Sequence, residues 1–360
     1  MDFPETASVA KSGRIYITSL NSGGLVVLDR DGHLLWTNKN VAGPLALGAD
    51  DSAYGNIGSQ LVAFDPNGNE KWRFDSGVLP AIGPQDIIYV TENGSGGASA
   101  VLAISSAGKL LFTIKTGPTP RIAIGNSGVL YVSTESGLFA YYPDGKEKWH
   151  TKFPLSLGGK PILDEAENIY IVGSGTNLYA LERNGYLKWV TPIEDRALYT
   201  PVVTENGTVI VATESGLVLA VNSAGEFLWR FRAEGKLFRG PALGPNGAIY
   251  FSVYSGDNAV NVRGKLYSLK GSEPPAKTWS SEKGNSANSA RVSRSFWQSR
   301  GSSVDLNTEV GLRYSVQVSP DFKSWAELTN FVSTSDLINF HIDRGPAFRS
   351  LFYKATVSAP

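Results

Sequence analysis

Apolar residues recur along most of the chain in short runs that are separated by turns containing glycine. Seven segments share one order: an apolar strand, a turn, and a second short strand that ends in an aromatic residue. These aromatic residues are Trp36, Trp72, Phe112, Trp149, Trp189, Trp229 and Trp279. The first six segments keep glycine at one place in the turn, at Gly32, Gly68, Gly108, Gly145, Gly185 and Gly225. A turn of this kind between apolar runs predicts a β-hairpin, because the glycine position needs a positive φ.

A further hairpin precedes each aromatic segment, as in the runs that begin at Pro80, Pro161, Pro201 and Pro241. Each repeat therefore holds four strands in about 40 residues, which is the length of one propeller blade. Four short strands cannot bury both faces alone, so the repeats are expected to stack around an axis. We predict an all-β protein with a seven-bladed β-propeller of four-stranded antiparallel blades over residues 1–279.

The aromatic residue at the end of each repeat has two interpretations. The seven rings could form a ladder on which a ligand stacks, or each ring could fill the gap between neighbouring blades. One large ring per repeat at a constant position is what packing requires, whereas a single ligand site does not need all seven. We therefore interpret the seven aromatic residues as structural.

The run LYALERNGYLKW at residues 178–189 resembles the pyrroloquinoline-quinone-type propeller repeat (PQQ-like repeat). Families with this repeat include quinoprotein alcohol dehydrogenases, a scaffold lipoprotein of the outer-membrane β-barrel assembly machine, and many secreted bacterial proteins. The dehydrogenases imply Ca²⁺ and a quinone on the axis of eight blades, and often a vicinal cysteine pair. This chain has seven repeats and no cysteine. It also shows no trio of oxygen ligands on inner strands, so we predict no cofactor and no metal.

The C-terminal sixth of the chain has a different pattern. The runs YSVQVSPDFKSWAEL and FHIDRGPAFRSLFYKA are similar to a small C-terminal β-sandwich module of secreted Verrucomicrobia and Planctomycetes proteins. We predict an ordered tail or linker over residues 280–303 and a small β-sandwich-like domain over residues 304–360. The resemblance implies export, so we expect a secreted or periplasmic bacterial protein from which a leader has been removed.

Charge and chemistry narrow the function classes. Lys and Arg number 33, as do Asp and Glu, so no net charge indicates nucleic acid. The apolar runs are too short for a membrane span, for which about 20 residues are needed. The three histidines, His33, His150 and His341, form no recognisable catalytic or metal-binding set. We predict no catalytic residue and expect a monomer.

Any ligand site is expected in the loops at one end of the propeller. In a four-stranded blade, the loops that enter the first strand and those that join the second strand to the third lie on one face, which we call the upper face. The entering loops are relatively basic, and two of the joining loops are enlarged. We select as candidate ligand-binding residues Arg121, Lys160, Arg196, Arg239, Tyr254 and Asp257.

Two classes of function remain. The first is a non-catalytic scaffold that recognises a protein or polysaccharide partner through the upper face. The alternative is an enzyme, either a quinoprotein-type oxidoreductase or a polysaccharide-acting propeller. Scattered solvated charge would explain the same basic residues without any site.

Overall fold

A computed structural model describes most of the propeller and the strands of the C-terminal region. The described residues are 4–10, 12–19, 24–83, 86–93, 99–152, 159–173, 176–197, 199–237, 240–244, 247–255, 263–271, 275–276, 297–300, 303–307, 313–319, 326–332, 337–341 and 352–358. The chain divides into two compact units, Met1–Ala290 and Arg291–Pro360.

Six successive sheets of the first unit contain four antiparallel strands each, paired in sequence order. Blades one to three consist of β1 (Pro4–Val9), β2 (Ile15–Ser19), β3 (Gly24–Leu28), β4 (Leu34–Asn38); β5 (Ala42–Leu47), β6 (Ala53–Ile57), β7 (Gln60–Phe64), β8 (Glu70–Phe74); and β9 (Val78–Ile82), β10 (Ile88–Asn93), β11 (Ser99–Ile104), β12 (Leu110–Thr116). Blades four to six consist of β13 (Arg121–Ile124), β14 (Leu130–Thr134), β15 (Gly137–Tyr141), β16 (Glu147–Thr151); β17 (Ile162–Leu163), β18 (Ile169–Val172), β19 (Asn177–Leu181), β20 (Leu187–Pro192); and β21 (Val202–Val203), β22 (Val209–Ala212), β23 (Leu217–Val221), β24 (Phe227–Arg232).

The seventh sheet also has four strands, but they are arranged differently. Two short strands, β25 (Lys236–Leu237) and β26 (Ala242–Leu243), both pair with one side of β27 (Ile249–Ser255), and β28 (Arg263–Leu269) pairs with its other side. All three pairings are antiparallel. The predicted seven-bladed propeller of four-stranded antiparallel blades is therefore confirmed.

The hairpin that ends each repeat forms for local reasons. In blade two the Asp65 N–H donates to the Asn69 carbonyl, and the Gly68 N–H donates to the Asp65 carbonyl. Gly68 has a φ of 89°, a left-handed conformation that glycine adopts without the cost of a Cβ. The Asp65 carboxylate closes the turn by accepting the N–H groups of Asn67 and Asn69. Asp29 does the same in blade one, which explains why these carboxylates recur in turns.

The hydrophobic core lies between blades rather than within them. Leu61 and Ala63 of blade two pack against Ile88 and Val90 of blade three, and Val218 of blade six packs against Phe251 of blade seven in the same way. The first strands of neighbouring blades approach one another, so they lie nearest the axis. Each blade therefore depends on its neighbours to bury both of its faces.

The faces of the two terminal blades are less covered. Leu266 of β28 is 69% exposed, whereas Val218 and Leu178, at the same repeat position, are fully buried. Val26 of blade one is 36% exposed, whereas the equivalent Val62 of blade two is fully buried. Leu266 and Val26 lie on the two faces that meet in a closed ring, so the described residues alone do not bury these faces.

The second unit contains two three-stranded antiparallel sheets. The first has the order β29 (Trp297–Arg300), β30 (Ser303–Asn307), β33 (Leu337–His341), and the second has the order β32 (Ala326–Val332), β31 (Arg313–Ser319), β34 (Phe352–Ser358). The predicted β content is present in this unit. The sandwich arrangement and the proposed boundaries at residues 279 and 303 remain predictions, because residues 277–296 lie outside the described part.

Candidate functional site

The loops of the upper face are tied together by hydrogen bonds. Asp195, in the loop entering blade six, accepts the N–H of Arg196 at 2.7 Å and that of Ser215 at 2.9 Å. Partial burial alone would raise the pKa of Asp195, but the hydrogen bonds from Ser215 and Arg196 outweigh it and lower the pKa to about 2. Asp195 is therefore ionised at neutral pH and connects the entering loop to the β22–β23 turn.

Similar links occur in other blades. The Asn56 side chain donates to the Gly77 carbonyl at 2.7 Å, and the Ser133 hydroxyl donates to the Gly159 carbonyl at 2.9 Å. Both bonds connect a second strand to the loop that enters the next blade. These two bonds are buried or partly buried, so they hold their loops in shape before any ligand arrives.

The predicted ligand-binding residues occupy consecutive blades on this face. Arg121 opens β13 of blade four, Lys160 precedes β17 of blade five, and Arg196 precedes β21 of blade six. Arg121 and Arg196 are exposed, whereas Lys160 is half-buried. Tyr254 of blade seven is half-buried on β27, opposite Lys236. Arg239 and Asp257 lie outside the described residues, so the structure neither joins them to this group nor separates them from it.

The upper face carries both signs of charge. Glu194 forms an ion pair with Arg230, and Glu234 pairs with Lys265 at 2.6 Å. The turns between second and third strands add Glu135 and Glu214, which a comparison of entering loops alone overlooks. A net positive charge is therefore a poor description of the upper face, and its individual side chains describe it better.

The repeat aromatic residues form a regular contact with the next blade, which we call the seam contact. In it, the indole N–H donates to a carbonyl in the third-to-fourth-strand turn of the next blade, and the ring lies against the turn glycine. The N–H bonds are Trp36 to Pro66 (3.0 Å), Trp72 to Ser106 (2.8 Å), Trp149 to Arg183 (3.0 Å) and Trp189 to Ser223 (2.9 Å). Phe112 makes the ring contact alone, against Gly145.

The turn glycines are required by this contact as well as by their φ. A Cβ would come within 2.6 to 2.8 Å of the facing ring at Gly68, Gly108, Gly145, Gly185 and Gly225. At Gly32, in the first blade, a Cβ would meet nothing within 4 Å. Five successive seams, from blade one to blade six, are therefore closed by one repeated device. Trp279 lies outside the described residues.

Trp229 departs from this pattern. Its indole N–H has no acceptor among the described residues, and beside it opens a cavity of about 340 Å³ between blades six and seven. In blade seven, β28 is followed by Lys270 and Gly271, whose backbone lies so close to Gly247 that a Cβ on Gly271 would collide with the Gly247 carbonyl. The backbone at Gly271 thus lies against the first-to-second-strand turn of the same blade.

The chain beyond Gly271 reaches the inner strand of blade six. Pro275 forms an isolated antiparallel bridge with Thr204, and the Ala276 N–H donates to the Val203 carbonyl at 3.1 Å. Val203 pairs with β22 through its other edge, so this bond uses the edge that faces the axis. Ala276 is fully buried there.

The repeat name suggests a quinone with Ca²⁺ on the axis, but the described residues do not fit that group. Among them, only Asp29, Asp31 and His33 lie close enough together to share a metal ion. They belong to the outer hairpin of blade one, where Asp29 already accepts the N–H groups of Asp31 and His33. The axial edge of β21 is meanwhile occupied by Ala276. The inner strands described thus bring together no three carboxylate or histidine ligands of the kind that this group would need.

The three histidines lie far apart in the sequence and at different structural elements. His33 lies in the turn before β4, His150 on β16 and His341 on β33. The His150 Nδ1 lies 2.7 Å from Glu147 Oε1, and the His33 Nδ1 lies 2.9 Å from Asp29 Oδ2. Both contacts are local and exposed, which is typical of surface pairs.

Comparison with known proteins agrees with the geometry. Residues 21–198 match the family model described as outer membrane protein assembly factor BamB. A comparison of the sequence with curated proteins gave no match.

Three solved structures are similar in fold. BamB from Moraxella catarrhalis is 18% identical with a TM-score of 0.57, covering 69% of this chain and 79% of that one. BBS1N, in complex with ARL6DN, is 13% identical with a TM-score of 0.51, covering 70% and 93%. KlHsv2 with a replaced loop 6CD is 10% identical with a TM-score of 0.54, covering 75% and 98%. At these identities the likeness concerns the fold alone.

These observations define the class. The protein is a seven-bladed β-propeller, and the part of it that spans blades one to five matches the BamB family model. Among the described residues, no helix is long and apolar enough to cross a membrane.

Proposed function

We propose that this protein is a non-catalytic, extracytoplasmic binding propeller that holds a protein partner through its upper face. The observation that carries the proposal is the BamB-like propeller together with the hydrogen-bonded loops of that face. A rigid scaffold that presents loops binds without losing much loop entropy. The matched family is described as an assembly factor, and BBS1N was solved with a second protein.

The side chains of the upper face support a protein partner. Arg121 is exposed and makes no ion pair among the described residues, and Arg196, two blades further on, is exposed as well. Both charge signs and the half-buried Tyr254 are present, as is common in protein interfaces, where Tyr and Arg carry much of the binding energy. A polysaccharide remains the second partner class for the same face.

A site-specific crosslinking experiment tests the proposal. A photoreactive residue at Arg121 or Arg196 should crosslink one protein of the cell envelope, which is then purified and titrated against the propeller. The same residue at Lys109 or Lys146, in turns of the opposite face, is the control. The double variant Arg121→Glu, Arg196→Glu should weaken binding of the purified partner about tenfold or more. Equal crosslinking from both faces, or unchanged affinity, would reject the proposal.

A further inference from the structure

The cavity beside Trp229, which we call the seam pocket, lies on the lower face, formed by the first-to-second and third-to-fourth strand turns. It is lined by Asn206, Thr208, Leu228, Trp229, Ile249 and Lys270, among others. It is therefore separate from the upper face. Its volume of about 340 Å³ is at the small end of the range for ligand pockets, about 300–1,000 Å³.

The pocket exists because one seam departs from the repeat. In four earlier seams a tryptophan N–H is bonded to a backbone carbonyl and the ring is covered by a glycine turn. At Trp229, Gly271 instead lies against Gly247 of the same blade, and Ala276 bonds to Val203 of blade six. Part of a flat indole surface and its N–H thus line an open cleft.

Three hydrogen-bond donors line the pocket without an acceptor among the described residues. They belong to three lining residues and are the Trp229 indole N–H, the Lys270 ammonium and the Asn206 amide. Asn206 uses its oxygen within the turn, where it accepts the Thr204 hydroxyl and the Thr208 N–H, so its NH₂ group remains as the donor. A ligand for this set must be rich in acceptors, and Lys270 favours one with a negative charge.

We propose that the seam pocket binds an acidic sugar, a pyranose ring that carries a carboxylate. The ring would stack on Trp229, its hydroxyl groups would accept from Trp229 and Asn206, and its carboxylate would pair with Lys270. Lys270 disfavours a cationic ligand over the indole face. The cavity has room for one sugar ring or a disaccharide. It therefore suits the end of a polysaccharide and not an extended stretch of one.

Glucuronic acid is the probe, and glucose is the matched neutral ring. Binding is measured by saturation-transfer NMR and by titration of tryptophan fluorescence. Lys270→Gln should weaken glucuronic acid binding about tenfold while leaving glucose unchanged, because a charge-assisted hydrogen bond is lost. Trp229→Phe should weaken both sugars, because the ring remains but its N–H donor is removed.

Matched controls separate the pocket from general effects. Lys109→Gln removes an exposed lysine from the turn of another blade, and Trp189→Phe alters an indole whose N–H is already bonded to Ser223. Neither should change binding of either sugar. Circular dichroism and the melting temperature confirm that each variant folds.

Three outcomes would overturn the proposal: no binding of glucuronic acid to the wild-type protein, equal binding by Lys270→Gln, or an equal effect of the control variants. If the pocket binds a segment of a protein instead, glucuronic acid will not bind. Trp229→Phe would still change the tryptophan fluorescence, because it removes one indole. The upper-face crosslinking experiment is independent of all these results.

Discussion

The seam between blades five and six and the seam between blades six and seven begin from the same residue type and end differently. Trp189 donates its N–H to Ser223 and lies against Gly225. Trp229 has the equivalent position but faces a cavity. The difference lies in the chain that follows β28, where Gly271 lies against Gly247 and Ala276 bonds to Val203. Whether the aromatic residue at this repeat position is packed in a seam or open to a ligand therefore depends on the blade that follows it. Its own local sequence does not decide between the two.

The largest test of this comparison is truncation of the two rings. Trp189→Ala should lower the free energy of unfolding by about 2–4 kcal/mol, since it removes a packed ring and a bonded N–H. Trp229→Ala should cost about half as much, because part of its surroundings is already empty. Urea denaturation followed by circular dichroism measures both values. Equal losses would show that the two seams are equivalent in solution.

The turn glycines provide a second test. Gly68→Ala combines a left-handed φ with a collision against Trp36, so we expect a loss of about 2–3 kcal/mol. Gly32→Ala has the same φ of 89° but no atom within 4 Å of the new Cβ, so it should cost about 1 kcal/mol. A matching loss at Gly32 would indicate that another group covers the turn of blade one.

A milder pair isolates the indole hydrogen bond. Trp189→Phe removes a donor that is bonded in the seam and should lower the free energy of unfolding by about 1 kcal/mol. Trp229→Phe should change it by less than about half that amount, because its N–H has no described acceptor. Thermal unfolding of the two variants side by side shows the difference, and a larger effect at Trp229 would contradict it.

The smallest expected effect concerns Asp195, which accepts the Ser215 N–H on the upper face. The pKa of Asp195 is lowered from 3.8 to about 2, so its contribution to stability is complete above about pH 5 and is lost as the pH falls toward 2. Asp195 is partly exposed, so that contribution is about 1 kcal/mol or less. Asp195→Asn should flatten the stability profile between about pH 4 and pH 2. If Asp195→Asn left the loss of stability at low pH unchanged, the hydrogen bond from Ser215 to Asp195 would not be formed in solution.

Much of the propeller follows from sequence because each of its determinants is local. Gly68 and Asp65 specify a hairpin within five residues, and the apolar alternation of β7 specifies the two faces that its neighbours cover. Repetition of this pattern seven times then leaves stacking as the way to bury both faces. The same residues carry the resemblance to PQQ-like repeats, which indicates the fold family.

The seam pocket depends on a non-local path and could not be predicted this way. Trp229 has the same local pattern as Trp189, and the longer stretch after Leu269 indicates only a different turn. That this stretch bonds to Val203, more than 70 residues earlier in the chain, is decided by packing. Similarly, Glu135 and Glu214 join the upper face only when the turns between strands are placed in space.

The seam contacts also bear on how the ring assembles. Trp72, Trp149 and Trp189 each bond to a residue 34 positions later, so each blade is completed as soon as the next one has been made. Contacts of such short range favour rapid, stepwise folding. During synthesis the array can therefore grow from its N-terminal end, because each new hairpin completes the seam of the blade before it. The bond of Ala276 to Val203 in blade six spans more than 70 residues and can form only later.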